Sequence, residues 1–490
     1  MLSRATRDVK QPPAGEPARI AWFRRGKTTL ARGIRSYHRP TRIEEAQELA
    51  AQGVTPIAGG TRVLAADTVV PNVVDVVGLG LTGLRVEDED LEIGAATPLQ
   101  DVVDSPLAYA TTAGLLPAAC RAALPSRLLR SMATIGGEAC HDDPDSELAA
   151  AFLALNAVFL VSHPQEPRES PALRFLRSPA TDLAGGGVLR SVLVPGAHHG
   201  AALERAAVLP SMPPLVAVAV TTTFSGEKLA RVRLAVTGLE TPPARVIEAE
   251  AQLERTAGED EVLERAADLV CAHAAFRDDA WATAEDRRRI ARPLARRALR
   301  AALERGRRRE APERPRLRPL LPHRAPAPMP YFTSGRLELT VNGRTLRAEA
   351  EARTTLLELL RGAGIYGVKA GCGTGRCGAC TVLLDGRPVA SCLTLAVRAQ
   401  GRTVTTVEGL GTADRPHPIQ DAFADAGAAQ CGFCTPGLVL GARALLDAVP
   451  RPTEDEVRDA LAGLCRCTGY ARPVAAVLAA ASLAAGNERR

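Results

Sequence analysis

Two groups of four cysteines in the carboxyl-terminal part of this 490-residue chain constrain its fold most. In the first group, C-x4-C-x2-C is followed by a distant fourth thiol, the spacing typical of plant-type [2Fe–2S] proteins. Because one such cluster takes four thiolates, eight cysteines suffice for two clusters. The first group is Cys372, Cys377, Cys380 and Cys392, and the second is Cys431, Cys434, Cys465 and Cys467.

Structural zinc, disulfides and thioredoxin-like redox pairs also use closely spaced cysteines. Zinc ribbons usually pair two C-x2-C knuckles, whereas the x4 spacing within the glycine-rich run 371–380 suits a loop wrapped around a cluster. Disulfides are disfavoured because no secretory signal is visible and the other three cysteines, Cys120, Cys140 and Cys271, are scattered. Spacing alone leaves these alternatives open for the second group.

The amino-acid composition limits which classes of function are possible. A chain with 46% hydrophobic and 24% charged residues is ordinary for a globular protein of several domains, and no run of about 18 apolar residues predicts a membrane span. Eleven arginines between Arg287 and Arg309 raise nucleic acid as a partner, but aromatic residues are only 3% of the chain. We therefore predict a solvated helix face and no nucleic-acid partner.

The amino-terminal residues 1–36 are basic and lack apolar periodicity, which predicts a disordered tail. The Arg24-Arg25 pair within them is followed by polar residues instead of a hydrophobic export region, so we expect a cytoplasmic protein. Residues 306–334 contain a cluster of arginines and many prolines, which predicts an extended spacer.

Glycine turns mark the first half of the chain. A short strand ending at Ile57 leads into Gly59-Gly60, and glycines at such a turn allow an anionic phosphate to approach backbone N–H groups. One such turn is a weak signal, but a second, Gly136-Gly137, strengthens it.

Helical and hairpin signals organise the second half. Asn342-Gly343 and Asp385-Gly386 predict two hairpins, with a short helix and the first cysteine loop between them, which is the order of a β-grasp ferredoxin. Beyond residue 411 the pattern is helical, and Thr453 with Glu456 predicts a capping box. An antiparallel helix bundle could bring the four thiols of the second group to one end.

These motifs resemble the molybdenum hydroxylases, the family of xanthine dehydrogenase, aldehyde oxidase and CO dehydrogenase. The runs 430–437 and 465–470 resemble its second-cluster signature, 369–380 its first, and the two glycine turns the FAD loops of its flavoprotein component. The resemblance implies an α+β multidomain fold: a two-subdomain FAD-binding module of the vanillyl-alcohol-oxidase (PCMH-like) type with an α+β C-terminal domain, a β-grasp ferredoxin domain, and a helical-bundle [2Fe–2S] domain. The implied bounds are 37–198, 199–305, 335–410 and 411–490.

The resemblance implies FAD and two [2Fe–2S] clusters as cofactors, with the eight cysteines as cluster ligands and no catalytic residue on this chain. Gln430 stands where the family contacts the pterin of the molybdenum cofactor. Arg62, Ser131, Glu138 and Glu147 depart from the residues usual in the family. The implied FAD-binding residues are Ile57, Ala58, Gly59, Gly60, Thr61, Arg62, Val63, Thr134, Ile135, Gly136, Gly137, Glu138, Glu147 and Leu189.

The resemblance further implies the electron-transfer part of an oxidoreductase. Electrons would come from a separate molybdopterin-binding large subunit, pass the two clusters and FAD, and leave to NAD+, a quinone or oxygen, within a heterodimer or a dimer of heterodimers. Two alternatives remain open: a stand-alone NAD(P)H-dependent flavin iron–sulfur reductase, and a cluster-only scaffold whose flavin site has decayed.

Overall fold

A computed structural model of the protein describes residues 33–66, 69–196, 198–308, 327–412, 414–461 and 463–487. Most of the predicted tail (1–36) and of the predicted spacer (306–334) therefore lies outside the described residues. The described part contains four β-sheets and a helical region, which makes it an α+β multidomain protein. No helix in that part is both long and apolar enough to cross a bilayer.

A small parallel sheet begins the flavoprotein half. Strands β1 and β2 both pair with β3, so that β3 is central. Its elements are β1 (Ser36–Arg39), α1 (Ile43–Ala51), β2 (Thr55–Ile57), α2 (Thr61–Ala65) and β3 (Asn72–Asp75).

An antiparallel sheet with the order β4-β5-β8-β6-β7 forms the second subdomain. Its core includes Phe159, which stacks on Phe175 with ring centroids 4.2 Å apart. The strands are β4 (Leu84–Glu87), β5 (Asp90–Gly94), β6 (Val158–Ser162), β7 (Arg168–Pro171) and β8 (Val188–Val194). The helices are α3 (Leu99–Val103), α4 (Pro106–Thr111), α5 (Leu115–Ala123), α6 (Arg127–Arg130), α7 (Ile135–Ala139), α8 (Glu147–Ala154), α9 (Ala172–Phe175) and α10 (Pro179–Leu183).

A third sheet, with the order β12-β11-β10-β9, shares one apolar core with three helices. The elements are β9 (Gly200–Ala206), β10 (Val216–Ser225), β11 (Lys228–Val236), β12 (Ala244–Arg245), α11 (Ile247–Leu253), α12 (Asp260–His273) and α13 (Ala284–Arg308). The arginine-rich run is α13, and several of its arginines pair with acidic residues of α12. Arg292 Nε lies 2.6 Å from Asp268 Oδ1, and Arg296 Nε lies 2.8 Å from Glu264 Oε1.

Strand β13 (Met329–Phe332) pairs antiparallel with β1, opposite Tyr37 and Arg39. The end of the predicted spacer is therefore part of a sheet. The physical reason is that β1 would otherwise present an unpaired edge, which the returning chain covers.

The ferredoxin-like domain is a mixed sheet with the order β15-β14-β18-β16-β17, a β-grasp arrangement. Both predicted hairpins are present, because Val341 pairs with Arg344 and Leu384 pairs with Arg387 across their two-residue turns. The elements are β14 (Ser334–Val341), β15 (Arg344–Glu351), α14 (Leu356–Gly362), β16 (Thr381–Leu384), β17 (Arg387–Ala390) and β18 (Thr403–Thr405).

Four helices complete the described chain. The predicted capping box is confirmed, with Thr453 Oγ1 accepting from the Glu456 N–H and the Glu456 carboxylate accepting from the Thr453 N–H. The helices are α15 (Pro418–Asp425), α16 (Thr435–Ala448), α17 (Glu454–Ala460) and α18 (Ala471–Asn487).

One apolar core spans the flavoprotein half and the ferredoxin-like domain. Tyr37, Leu129 and Met132 from the first half pack in the same cluster as Cys392 and Leu393 from the second. The first sheet and the ferredoxin-like domain are thus packed together as one unit.

Candidate functional site

The first cysteine group lies around the loop between α14 and β16. Its turns are glycines with positive φ, for example Gly373 at 73° and Gly375 at 75°, a conformation open to glycine at little cost. The N–H groups of Thr374 and Cys377 each lie 3.3 Å from the Cys372 sulfur. Such N–H to sulfur contacts are those that stabilise a negatively charged cluster.

The four thiols of this group form two close pairs. The Cys372 side chain lies beside that of Cys377, whose sulfur also accepts from the Cys372 N–H at 3.3 Å, and the Cys380 side chain lies beside that of Cys392, which follows β17. Hydrogen bonding from Cys377 lowers the pKa of Cys372 to about 4. The Cys380–Cys392 pair is buried, whereas Cys372 is exposed.

The second group repeats this arrangement at one end of the helix bundle. The Cys431 side chain lies beside that of Cys467, and the Cys434 side chain beside that of Cys465. Cys431 and Cys467 are exposed, whereas Cys434 and Cys465 are buried. The Thr468 N–H donates to the Cys465 sulfur at 3.4 Å, and the Thr468 Oγ1 lies 3.1 Å from the same sulfur.

The two-by-two pairing distinguishes between kinds of metal site. Tetrahedral zinc requires three or four protein ligands around one ion. Among the residues that the structure describes, no three His, Cys, Asp or Glu side chains are arranged to hold a single ion. A [2Fe–2S] cluster instead takes two thiolates on each of two irons, so this donor set fits clusters better than zinc.

The two cysteine loops contact each other directly. The Leu464 N–H donates to the Cys377 carbonyl at 2.8 Å, and Leu464 precedes Cys465 in the chain. A Cβ built on Gly437 would lie only 2.2 Å from the Gly378 carbonyl oxygen, so these backbones touch. One hydrogen bond therefore joins a cysteine of the first group to the neighbour of a cysteine of the second.

Gln430, predicted to contact the pterin, is exposed beside the exposed Cys431. Phe433 in the same loop is 47% exposed. The exposed cysteine pair, the glutamine and this aromatic side chain thus lie together at the surface of the helical domain.

A cavity of about 300 Å³ lies between the two subdomains of the flavoprotein half. Both predicted glycine loops line it, together with the apolar residues Val188 and Leu189. Gly59 is required for close packing, because a Cβ there would lie 2.1 Å from the Met132 carbonyl oxygen. Glycine-rich backbone beside apolar walls suits a ligand with both phosphate and flat ring parts.

Eleven of the predicted flavin residues line this cavity, and three do not. Ile135 lies behind the second loop, and Glu138 and Glu147 lie outside the lining. The lining residues among those predicted are Ile57, Ala58, Gly59, Gly60, Thr61, Arg62, Val63, Thr134, Gly136, Gly137 and Leu189.

The atypical residues of the two glycine loops form an ion pair. Arg62 Nη2 lies 2.6 Å from Glu138 Oε2 and 3.6 Å from Asp143 Oδ2. The Arg62 side chain is 37% exposed, whereas that of Glu138 is only 4% exposed. Burial lowers the pKa of Arg62, but its bonds to the two carboxylates outweigh that effect and raise it.

Glu147 is also engaged by an arginine. Its Oε1 lies 2.9 Å from Nε of Arg205, whose Nη2 donates to the Met212 carbonyl at 2.7 Å. Burial raises the pKa of Glu147 to about 7, and Arg205 lowers it only in part. The Glu147 carboxylate, at the first turn of α8, is thus ion-paired with Arg205.

Three residues near the cavity were missed by sequence reasoning. Cys140 and His141 line it and directly follow the second glycine loop, so their position next to that motif was an available signal. Arg398 of the ferredoxin-like domain contacts the first glycine loop. No local pattern pointed to Arg398.

The fold and the sites define a flavin- and iron–sulfur-binding electron-transfer protein. Four family models match the chain: FAD binding domain in molybdopterin dehydrogenase (31–197), CO dehydrogenase flavoprotein C-terminal domain (213–302), 2Fe-2S iron-sulfur cluster binding domain (339–405) and [2Fe-2S] binding domain (406–478).

Known proteins resemble the chain in two separate ways. The nicotinate dehydrogenase small FeS subunit of Eubacterium barkeri is 47% identical over 143 residues, which are 29% of this chain and 91% of that protein. The xanthine dehydrogenase iron-sulfur-binding subunit of Escherichia coli O157:H7 is 49% identical over 146 residues, again 29% and 91%. A CO dehydrogenase structure from Hydrogenophaga pseudoflava, lacking the Mo-pyranopterin moiety, covers 56% of this chain and 98% of its own, with 28% identity and a TM-score of 0.53.

The chain belongs to the xanthine dehydrogenase and CO dehydrogenase family of molybdenum hydroxylases, in which it is an FAD-binding subunit fused to a [2Fe–2S] subunit. It carries one FAD-binding domain and two [2Fe–2S]-binding domains and is an oxidoreductase component.

Proposed function

We propose that this chain passes electrons from a separate molybdopterin-binding subunit through the second cysteine group, the first cysteine group and FAD to NAD+, a quinone or oxygen. The clusters carry single electrons, and FAD accepts them one at a time and donates two. The residues of this chain would hold these groups in that order.

The observation that carries the proposal is the Leu464 N–H to Cys377 carbonyl hydrogen bond of 2.8 Å. It joins the backbones of the two cysteine loops. A relay requires its carriers close together and fixed, and a backbone bond between their loops supplies both.

The positions of the exposed pair in the second group and of the buried Cys392 in the first support the direction of the relay. Cys431 and Cys467 are exposed, so they suit the entry side, where a partner subunit would dock beside Gln430. Cys392 lies in the shared core with Met132, whose carbonyl packs against Gly59 of the flavin cavity. The proposed electron path thus runs from the exposed cysteine pair of the second group, through the joined cysteine loops, to the flavin cavity.

For the pterin contact, we propose Gln430, exposed beside Cys431. For FAD, we propose the cavity-lining residues of the two glycine loops, with Glu138 and Glu147 acting through their arginine partners. The eight paired cysteines are the proposed cluster ligands.

A cofactor inventory of the purified full chain is the first test. We expect about four irons and one FAD per chain, with two distinguishable [2Fe–2S] signals in electron paramagnetic resonance. Four irons with no FAD after reconstitution would favour the cluster-only scaffold.

Addition of a molybdopterin-binding partner is the second test. Substrate should then reduce both clusters and the flavin, while the chain alone should leave that substrate unchanged. Sustained NAD(P)H oxidation by the chain alone, with electrons delivered to an unrelated acceptor protein, would favour the stand-alone reductase.

A further inference from the structure

Arg398 of the ferredoxin-like domain reaches into the first glycine loop of the flavoprotein half. Its Nη2 donates to the Ala58 carbonyl at 2.5 Å, and its Nη1 donates to the Gly59 carbonyl at 3.3 Å. Its Nε lies 2.8 Å from Asp75 Oδ2 at the end of β3. These contacts cross from the domain of the first cysteine group to the flavin site.

The glycine loop is a thin wall between two cavities. Ala58 and Gly59 line the cavity of about 300 Å³ and also a smaller one of about 100 Å³ at the domain seam. Arg398 lines the smaller cavity. The arginine therefore contacts this loop from the side opposite the proposed flavin.

The geometry of the trans peptide determines which way the N–H groups of this loop point. In a trans peptide the C=O and the following N–H point in opposite directions, and no described peptide bond here is cis. Since Arg398 holds the carbonyls of Ala58 and Gly59, the N–H groups of Gly59 and Gly60 face away from it. That direction is toward the larger cavity, where a phosphate would lie.

Arg398 is itself held firmly. Asp75, which it pairs with, also accepts a short hydrogen bond from Tyr37. Arg39 donates to the Tyr37 hydroxyl at 2.7 Å and to the Val397 carbonyl, next to Arg398, at 3.3 Å. A buried network on both sides of the seam thus fixes the guanidinium group.

We propose that Arg398 is a positioning residue for the dinucleotide, which orients the Gly59 and Gly60 N–H groups toward the pyrophosphate of FAD. The ferredoxin-like domain thereby completes the flavin site, and FAD binding and domain docking strengthen each other by the same factor. This inference rests on the proposed FAD site.

The test compares FAD affinities of full-length variants with intact clusters. R398M should raise the Kd for FAD about tenfold, because charge-assisted bonds that orient the loop are lost. R398K should recover part of that loss. R387M is the matched control, since Arg387 makes a different ion pair across the same seam, with Asp101 at 3.1 Å, and its Kd should stay near the wild-type value.

Iron content and the cluster signals should be unchanged in all three variants. Unchanged clusters would show that a weaker FAD affinity comes from the orientation of the loop and not from unfolding. An equal Kd for R398M and wild type, or equal losses for R398M and R387M, would overturn the inference. A wild-type chain that binds no FAD would instead overturn the proposed flavin function.

The coupling between FAD binding and domain docking can also be tested on the wild-type chain. Hydrogen–deuterium exchange of residues 394–402 should slow when FAD is added to the flavin-depleted chain, because docking and binding are linked. Unchanged exchange there, with FAD bound, would contradict the coupling.

Discussion

Arg62 and Glu138, which sit on different glycine loops, are joined by an ion pair of 2.6 Å. The two charges compensate each other. The pair therefore links the loops across the cavity, where an unpaired buried glutamate would be costly.

The first prediction concerns this pair. R62A should lower the free energy of unfolding by about 1–2 kcal/mol, a value reduced by the partial exposure of Arg62. The double variant R62A/E138N should be more stable than R62A, because the uncompensated buried carboxylate is gone. Urea denaturation of both variants measures this, and a double variant less stable than R62A would refute the compensation.

The second prediction concerns the cysteine ligands. C392S should remove about two of the four expected irons and one of two electron paramagnetic resonance signals, leaving the second cluster in place. C271S is the matched control, because the Cys271 sulfur contacts the Arg288 carbonyl and lies in neither cysteine group. Loss of all iron in C392S, or of any iron in C271S, would contradict the assignment.

The third prediction concerns the contact between the two cysteine loops. In G437A the new Cβ would lie 2.2 Å from the backbone oxygen of Gly378, so the loops must separate at a cost of about 1–3 kcal/mol. Electron transfer between the clusters, followed by rapid mixing, should slow. G441A lies one turn further along α16, where the nearest atom, the Ala460 oxygen, is 3.4 Å away. It should keep the wild-type rate and gain up to about 1 kcal/mol of stability.

The fourth prediction concerns Glu147, whose pKa burial raises from 4.5 to about 7. Its contribution to stability is fully present below the unfolded pKa and is lost as the pH rises toward 7, because the unfolded chain releases the proton first. The loss amounts to roughly 3 kcal/mol or less. In E147Q the fall in stability between pH 4.5 and 7 should shrink by that amount in urea denaturation. An identical pH profile in E147Q and wild type would show that Glu147 does not titrate in this range.

Local signals predicted the cluster domains well. The Asn342-Gly343 hairpin and the Thr453 capping box depend only on residues a few positions apart, and both are present. The arginine-rich run was predicted as a helix face, and it forms α13, but its pairing with Asp268 and Glu264 of α12 required the tertiary packing.

Contacts between distant segments could not be predicted from the sequence. Arg398 is 340 positions from Ala58, so no periodicity relates them. The Arg62–Glu138 pair left a fainter signal, since two residues of opposite charge stand in the two glycine loops of one site. The strand at 329–332 was hidden by Pro330 and by the assumption that a proline-rich segment stays unpaired.

The last prediction concerns the joint between the halves. A protease site inserted within residues 309–326 should allow the chain to be cut without separating the halves on gel filtration. The contacts that hold them include the pairing of β13 with β1, the shared apolar core, and the ion pair between Arg130 and Asp459, at 2.6 Å. Arg130 is almost fully buried, so D459A should leave an uncompensated charge and weaken the association of the cut halves.

D455A changes an exposed acid in the first turn of the same helix, α17, and should leave the association unchanged. Halves that separate as soon as the chain is cut would mean that the covalent linkage, and not the packed seam, keeps the flavin and cluster domains together.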